Sequence, residues 1–250
     1  MSDTVLEVRD LTKRYGGGTA LNGLSLELEA GRIYALLGEP GSGRTTLLRC
    51  IAGLCRPDGG EIALLGHPPA ELTKARREVG MLVDAPALYG DLSVVGNLLL
   101  QSRALGKVDK KRIGRLMKAL AIAPRNTGFR TVGSCPATIK LRLGIAMALL
   151  HSPRLLLMDE VYSGLDSDDS NMLNELLARE MGEREMTVLM TGQFFSELYP
   201  VATDFLLMNK GRVTARYTKD ALAARLPEGI SKPAEYEAFY KTLQREAAGE

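Results

Sequence analysis

Between residues 33 and 53 the sequence reads IYALLGEPGSGRTTLLRCIAG, with Gly38, Gly41 and Gly43 set between an apolar run and a segment of helical spacing. The apolar run ends in glycine, as a buried parallel strand does, and the helical segment TTLLRCIAGL has Gly53 near its end. Residues 38–46, GEPGSGRTT, follow the phosphate-loop pattern GxxxxGK(S/T) with one exception, because Arg44 stands where lysine is expected. Gly38, Gly41 and Gly43, with Glu39, Pro40 and Ser42 between them, let backbone N–H groups of the loop curl round a polyphosphate, and the helix N-terminus adds a favourable dipole. The hydroxyl of Thr45, next to Thr46, falls where a Mg²⁺ ligand belongs. Arg44 keeps the positive charge but carries it on a planar, bulkier fork. Retained but weakened nucleotide affinity and a misplaced γ-phosphate are the expectation.

The remainder alternates strand and helix patterns. VLEV, LSLEL, EIALLG and EVGMLV read as short strands, with a glycine turn at 16–18 after the first. Segments 98–105, 110–120 and 136–150 carry apolar residues at helical intervals. The Lys- and Arg-rich stretch 107–118 is expected to be the solvated face of an amphipathic helix. RLLLMDE and TVLMTG read as strands around a helix at 169–181, FLLMNKG and RVTARY as a hairpin, and 233–248 as a terminal helix. This order implies an α/β fold with a mainly parallel sheet. Asp159 and Glu160 close the strand RLLLMDE, and paired carboxylates there suit Mg²⁺ binding and water activation.

Composition narrows the function. A net charge of +2, from 32 basic and 30 acidic residues, argues against a nucleic-acid or membrane-surface role driven by bulk charge. Cys50, Cys55 and Cys135 have no zinc-ligand spacing, and only His67 and His151 could join them, so reduced cysteines in a cytoplasmic protein are expected. MSDTVLEVRD does not resemble a signal peptide, and apolar stretches such as 143–150 are too short to span a bilayer. Any transport role therefore needs a separate membrane partner.

Along nearly its whole length the sequence resembles the ATP-binding-cassette (ABC) family, most closely the subunits of bacitracin- and lantibiotic-resistance-type exporters. The segments VLEVRDLTKRYGGGTALNGLSLELEAGRIYALLG, GLCRPDGGEIALLGH, ALYGDLSVVGNL, LGIAMALLHSPRLLLMDE, SGLD and MNKGRV match in the family's order. The resemblance implies a nucleotide-binding domain over 1–228 and a C-terminal helical appendage over 229–250. Within the domain it implies a P-loop NTPase core, an N-terminal antiparallel β subdomain and an inserted helical subdomain at about 88–150. It puts Tyr15 where an aromatic stacks on adenine, and a membrane partner's coupling helix near 85–89.

The departures from the family pattern are informative. Asp84 lies where glutamine is usual, and a carboxylate there can still face Mg²⁺. The signature segment, normally LSGGQ-like, reads CPATI at 135–139, where Pro136 removes the serine hydroxyl and Ala137 and Thr138 add side chains at positions that need close backbone approach. Proline suits a helix's first turn, so that helix should persist. Gln193 replaces the switch histidine and cannot carry its positive charge. The resemblance thus implies a subunit that binds Mg-ATP through residues 38–46 and Tyr15, with Thr45, Asp84 and Asp159 toward the metal and Glu160 and Gln193 toward catalysis. It would sit in the cytoplasm, peripheral on the inner face of the membrane, with a transmembrane permease subunit and a second nucleotide-binding domain, itself or a paralogue. Weak or absent hydrolysis is the first expectation. A compensated, competent ATPase and a nucleotide-independent structural or regulatory module are the alternatives. Non-transport members of the family usually have tandem cassettes or coiled coils, which this sequence lacks.

Overall fold

A computed structural model describes residues 4–106, 108–123, 131–183, 185–227 and 229–249. The chain opens with two long strands, β1 (Thr4–Tyr15) and β2 (Gly18–Glu29), paired antiparallel across the turn at 16–17. The sequence suggests only VLEV and LSLEL as strands. Register shifts between Val8 and Leu11 and between Lys13 and Arg14 carry the pairing on through polar residues, as β-bulges do. β4 (Gly59–Leu64) pairs with the other edge of β1 and completes a three-stranded antiparallel sheet.

The second sheet holds β3 (Ile33–Leu37), β5 (Val79–Leu82), β6 (Leu155–Met158), β7 (Thr187–Gly192), β8 (Asp204–Asn209) and β9 (Arg212–Thr218) in the order β5-β6-β7-β3-β8-β9. All its pairings are parallel except the β8–β9 hairpin. IYALL and TVLMTG are buried at every position, as strands covered on both faces must be. Successive residues of β3 serve opposite sides. Ile33, Ala35 and Leu37 join one apolar cluster, and Tyr34 and Leu36 join the other. β9, at the edge, alternates exposed and half-buried residues.

The Tyr34 side is covered by α1 (Arg44–Ala52), which brings Leu47, Leu48 and Ile51 into that cluster. Between β5 and β6 come α3 (Val94–Ala104), α4 (Lys110–Ala119) and α5 (Ala137–Leu149), while α2 (Leu72–Ala75) is a single turn before β5. Leu98, Ile113, Leu116 and Leu143 from the three long helices join the cluster on the Ala35 side. α3 starts four residues earlier than the apolar spacing suggests, because Ser93 Oγ accepts from the Gly96 N–H at 3.0 Å and caps it. α5 begins directly after Pro136, so the helix survives the altered signature.

One expectation is corrected here. The basic stretch 107–118 is not wholly a solvated face. Arg112 is 3% exposed and donates to both carboxylate oxygens of Glu180 at 2.6 Å, and to the Leu149 carbonyl at 2.9 Å. It lies on the inward stripe of α4 with Ile113, Leu116 and Met117. Glu180 comes from α6 (Ser167–Glu183), whose Leu173, Leu176 and Leu177 are buried in the same cluster. Lys107 lies outside the described residues.

After β7 come the short α7 (Phe195–Leu198) and, beyond β9, α8 (Lys219–Ala223) and α9 (Pro233–Ala248). Tyr236, Phe239 and Tyr240 of α9 pack back on Phe195, with the rings of Tyr240 and Phe195 stacked at 5.8 Å. Among the described residues no helix is long and apolar enough to cross a membrane.

Candidate functional site

The glycine loop is wedged between two carbonyls. A Cβ on Gly38 would lie 2.3 Å from the Met208 carbonyl oxygen, and one on Gly43 would lie 2.3 Å from that of Ala20. Gly43 also has φ 106°, a region that excludes side chains in practice. The loop turns through Ser42 N–H donating to the Glu39 carbonyl at 3.0 Å. It is pinned where Gly211 N–H donates to the Ser42 carbonyl at 2.9 Å. α1 starts at Arg44, so its unpaired first-turn N–H groups, with Thr45 in that turn, follow directly on the loop.

Arg44 is 5% exposed. Its Nη2 donates to Glu160 Oε1 at 2.7 Å, while Gln193 Nε2 donates to Glu160 Oε2 at 3.1 Å. Each oxygen of Glu160 therefore has a partner. Arg44 Nη1 and Ser42 Oγ are buried with no hydrogen-bond partner among the described residues. A buried guanidinium nitrogen left without an acceptor carries a desolvation penalty of about 1–3 kcal/mol or more, which an anion in the loop would remove.

Thr191 holds the two strand-end carboxylates in place. Its hydroxyl donates to Asp159 Oδ1 at 2.6 Å and accepts from the Glu160 N–H at 2.9 Å. Glu160 itself has φ 48°, in the left-handed region, a conformation that costs a non-glycine residue on the order of 1 kcal/mol and is common at functional sites. The sequence reading missed Thr191. Its signal was a hydroxyl near the end of an otherwise apolar strand.

The sequence candidates thus divide. Arg44, Asp159, Glu160 and Gln193 form one hydrogen-bonded neighbourhood around the glycine loop. Asp84 stands outside it, in a fork-to-fork pair with Arg49, whose Nε donates to Oδ2 at 3.0 Å and Nη2 to Oδ1 at 2.6 Å. That pairing is the first cause of a raised Arg49 pKa, with Asp159 adding to it. Tyr15, at the end of β1, is 48% exposed, with the Lys13 ammonium 5.4 Å from its ring centroid. Pro136 and Ala137 are exposed and Thr138 half-buried at the start of α5. From the far end of the chain, Gln244 Nε2 donates to Glu39 Oε1 at 3.2 Å, which sets α9 against the phosphate loop.

A buried parallel strand, a glycine loop, a helix and a strand-end carboxylate pair define a phosphate-loop NTPase core. The ABC transporter family profile matches residues 21–163. The bacitracin transport ATP-binding protein BcrA of Bacillus licheniformis is 30% identical over 89% of this chain and 72% of its own length. The Nod factor export ATP-binding protein I of Burkholderia orbicola (strain AU 1054) is 34% identical over 89% of the chain and 73% of its length. Among solved structures, an ATP-binding subunit of an ABC transporter superposes with a TM-score of 0.80 at 24% identity, covering 94% of this chain and 99% of that one. A dimeric bacterial ABC transporter cassette gives 0.78 at 23% identity, over 86% of this chain and 98% of its own. The chain belongs to the ABC transporter family and has the fold of its ATP-binding cassettes.

Proposed function

We propose that this chain is the ATP-binding subunit of a transporter, that it holds Mg-ATP, and that it hydrolyses it slowly or not at all. The observation that carries the reading is the Arg44–Glu160 ion pair. Nucleotide binding is supported by the buried Arg44 Nη1 and Ser42 Oγ, which have no hydrogen-bond partner among the described residues, in a glycine loop at a helix N-terminus. The residues therefore fit a polyphosphate. Residues 38–46 would hold the phosphates, Tyr15 would stack on the base, and Thr45 and Asp159 would hold Mg²⁺, which supplies charge neutralisation when bound. Asp84 reaches that role only by leaving Arg49.

Weak turnover is supported by what occupies the candidate base. A carboxylate activates water when it has a free oxygen within reach of it. Glu160 has one oxygen on Arg44 and the other on Gln193. Gln193 supplies a neutral amide where a charge would stabilise the transferring group. The start of α5 offers Pro136, Ala137 and Thr138 in place of a close backbone surface. A second nucleotide-binding domain, self or paralogue, and a transmembrane permease subunit are the partners, and the subunit sits on the inner face of the membrane. The relatives named for bacitracin transport and Nod factor export support a transport role.

The test is a Mg-ATP binding titration on the purified chain with hydrolysis followed in the same samples, alongside Glu160→Gln and Arg44→Lys. Binding with negligible turnover, unchanged by Glu160→Gln, is the expected result. Enzyme-like turnover abolished by Glu160→Gln would overturn the weak-hydrolysis reading. No binding, even by Arg44→Lys, would leave a structural module on an ATPase frame.

A further inference from the structure

α1 ends at Gly53, whose φ of 78° turns the chain back so that the N–H groups of Leu54 and Cys55 both donate to the Arg49 carbonyl. This reversal lays Cys55 against Cys50, in the last turn of the helix, with the two Sγ atoms 3.3 Å apart. A disulfide has an S–S length of about 2.05 Å, so closure needs a shift of little more than one ångström in a segment that ends a helix. The two thiols have unequal surroundings. Cys50 is buried, and burial pushes its pKa up to about 12. Cys55 is half-buried and lines a cleft of about 500 Å³ with Arg56, Pro57, Asp58 and Gly59. The Lys13 ammonium is fixed at the same place by the Arg56 carbonyl at 2.7 Å and Asp58 Oδ1 at 3.1 Å. The Tyr15 hydroxyl reaches Cys55 Sγ at 3.8 Å, which ties the thiol pair to the aromatic proposed to carry the base.

We propose that Cys50 and Cys55 are an oxidisable dithiol, Cys55 attacking and Cys50 resolving, whose closure to a disulfide withdraws the Cys55 contact from Tyr15 and weakens nucleotide binding. The oxidant is a peroxide. The Cys55 thiolate attacks one peroxide oxygen, the O–O bond breaks, and the departing hydroxide takes a proton and leaves as water. Cys55 is then a sulfenic acid and the peroxide has been reduced by two electrons. Cys50 Sγ attacks Cys55 Sγ, the S–O bond breaks, and the expelled hydroxide leaves with the Cys50 proton as a second water. Cys135, buried on the other side of the sheet, stays a thiol. The effect on nucleotide rests on the functional reading above, whereas disulfide formation does not.

The experiment exposes the purified chain to hydrogen peroxide. It reads intact mass, accessible thiols under denaturation and Mg-ATP affinity before and after, with and without dithiothreitol. The expected result is a loss of about 2 Da and a fall from three thiols to one, reversed by dithiothreitol. Affinity should fall by about threefold or more in the oxidised form only. Cys55→Ser and Cys50→Ala should each abolish the mass loss, and Cys55→Ser should hold affinity constant under peroxide. Cys55→Ser, at the half-buried site, keeps the test open should the buried Cys50→Ala fold poorly. Three thiols surviving, a stable gain of oxygen on Cys55, or a disulfide linking two chains would overturn the dithiol. Closure with unchanged affinity would overturn its link to Tyr15. Failure of the reduced protein to bind Mg-ATP would fault the functional reading alone, because the mass change is read independently of nucleotide.

Discussion

Arg44 Nη2 lies 2.7 Å from Glu160 Oε1, so the loop cation and the strand-end carboxylate neutralise each other within one chain. A phosphate group entering the loop competes with Glu160 for the same guanidinium. Removing the carboxylate leaves a buried cation without its counter-ion. Glu160→Ala should lower the stability of the nucleotide-free chain by about 1–3 kcal/mol, below the full cost for a buried pair because Glu160 is one-third exposed. Pyrophosphate should then raise the melting temperature of the variant more than that of the parent, since the anion replaces the lost charge. Equal shifts in a thermal melt would show that Arg44 is not the shared partner.

The Arg49–Asp84 pair makes a different demand. Both side chains are about two-fifths exposed, so the pair contributes at most about 1 kcal/mol to folding. Arg49→Ala should leave the melting temperature nearly unchanged. It should free Asp84 to turn toward the metal and lower the Mg²⁺ concentration needed for half-maximal nucleotide binding by about threefold. An unchanged metal requirement would show that Asp84 has no part in it.

Arg112 and Glu180 are only a few per cent exposed and bind each other through two hydrogen bonds. Arg112→Ala should cost about 3–5 kcal/mol in denaturant unfolding, because the Glu180 carboxylate stays buried and uncompensated. Replacing both with apolar residues of similar volume should restore most of that loss. A double variant no more stable than the single would contradict this account.

His151 has a pKa below its ordinary 6.5, chiefly because burial disfavours the charged ring. The unfolded chain binds a proton near pH 6.5 that the folded chain refuses until lower pH. Stability contributed by the neutral ring is therefore complete above about pH 7 and is lost progressively as pH falls below the unfolded value of 6.5 toward the lower folded one. Urea midpoints at pH 7.5 and 5.5 should differ less for His151→Leu than for the parent.

Much of the architecture was legible because apolar runs such as IYALL, RLLLM and TVLM are long enough to demand burial on both faces. Pro136 could be read as compatible with a helix start, and α5 begins there. Arg112 could not be read correctly, since one inward arginine in a basic stretch looks like its solvated neighbours until Glu180, 68 residues away, is placed. The same applies to Arg44 and Glu160, separated by 116 residues, and to Arg49 and Asp84, separated by 35. Composition and spacing identify the chemistry that each residue carries. Which opposite charge meets it depends on strand order, and a linear pattern holds no record of that.

Gln244 of α9 reaches Glu39 in the phosphate loop across 205 residues of chain. At the usual pace of translation, about 5–20 residues per second, the loop leaves the ribosome roughly ten to forty seconds before the helix that buttresses it. Throughout that interval a nascent cassette would meet cellular nucleotide with its loop exposed on the side that α9 later covers.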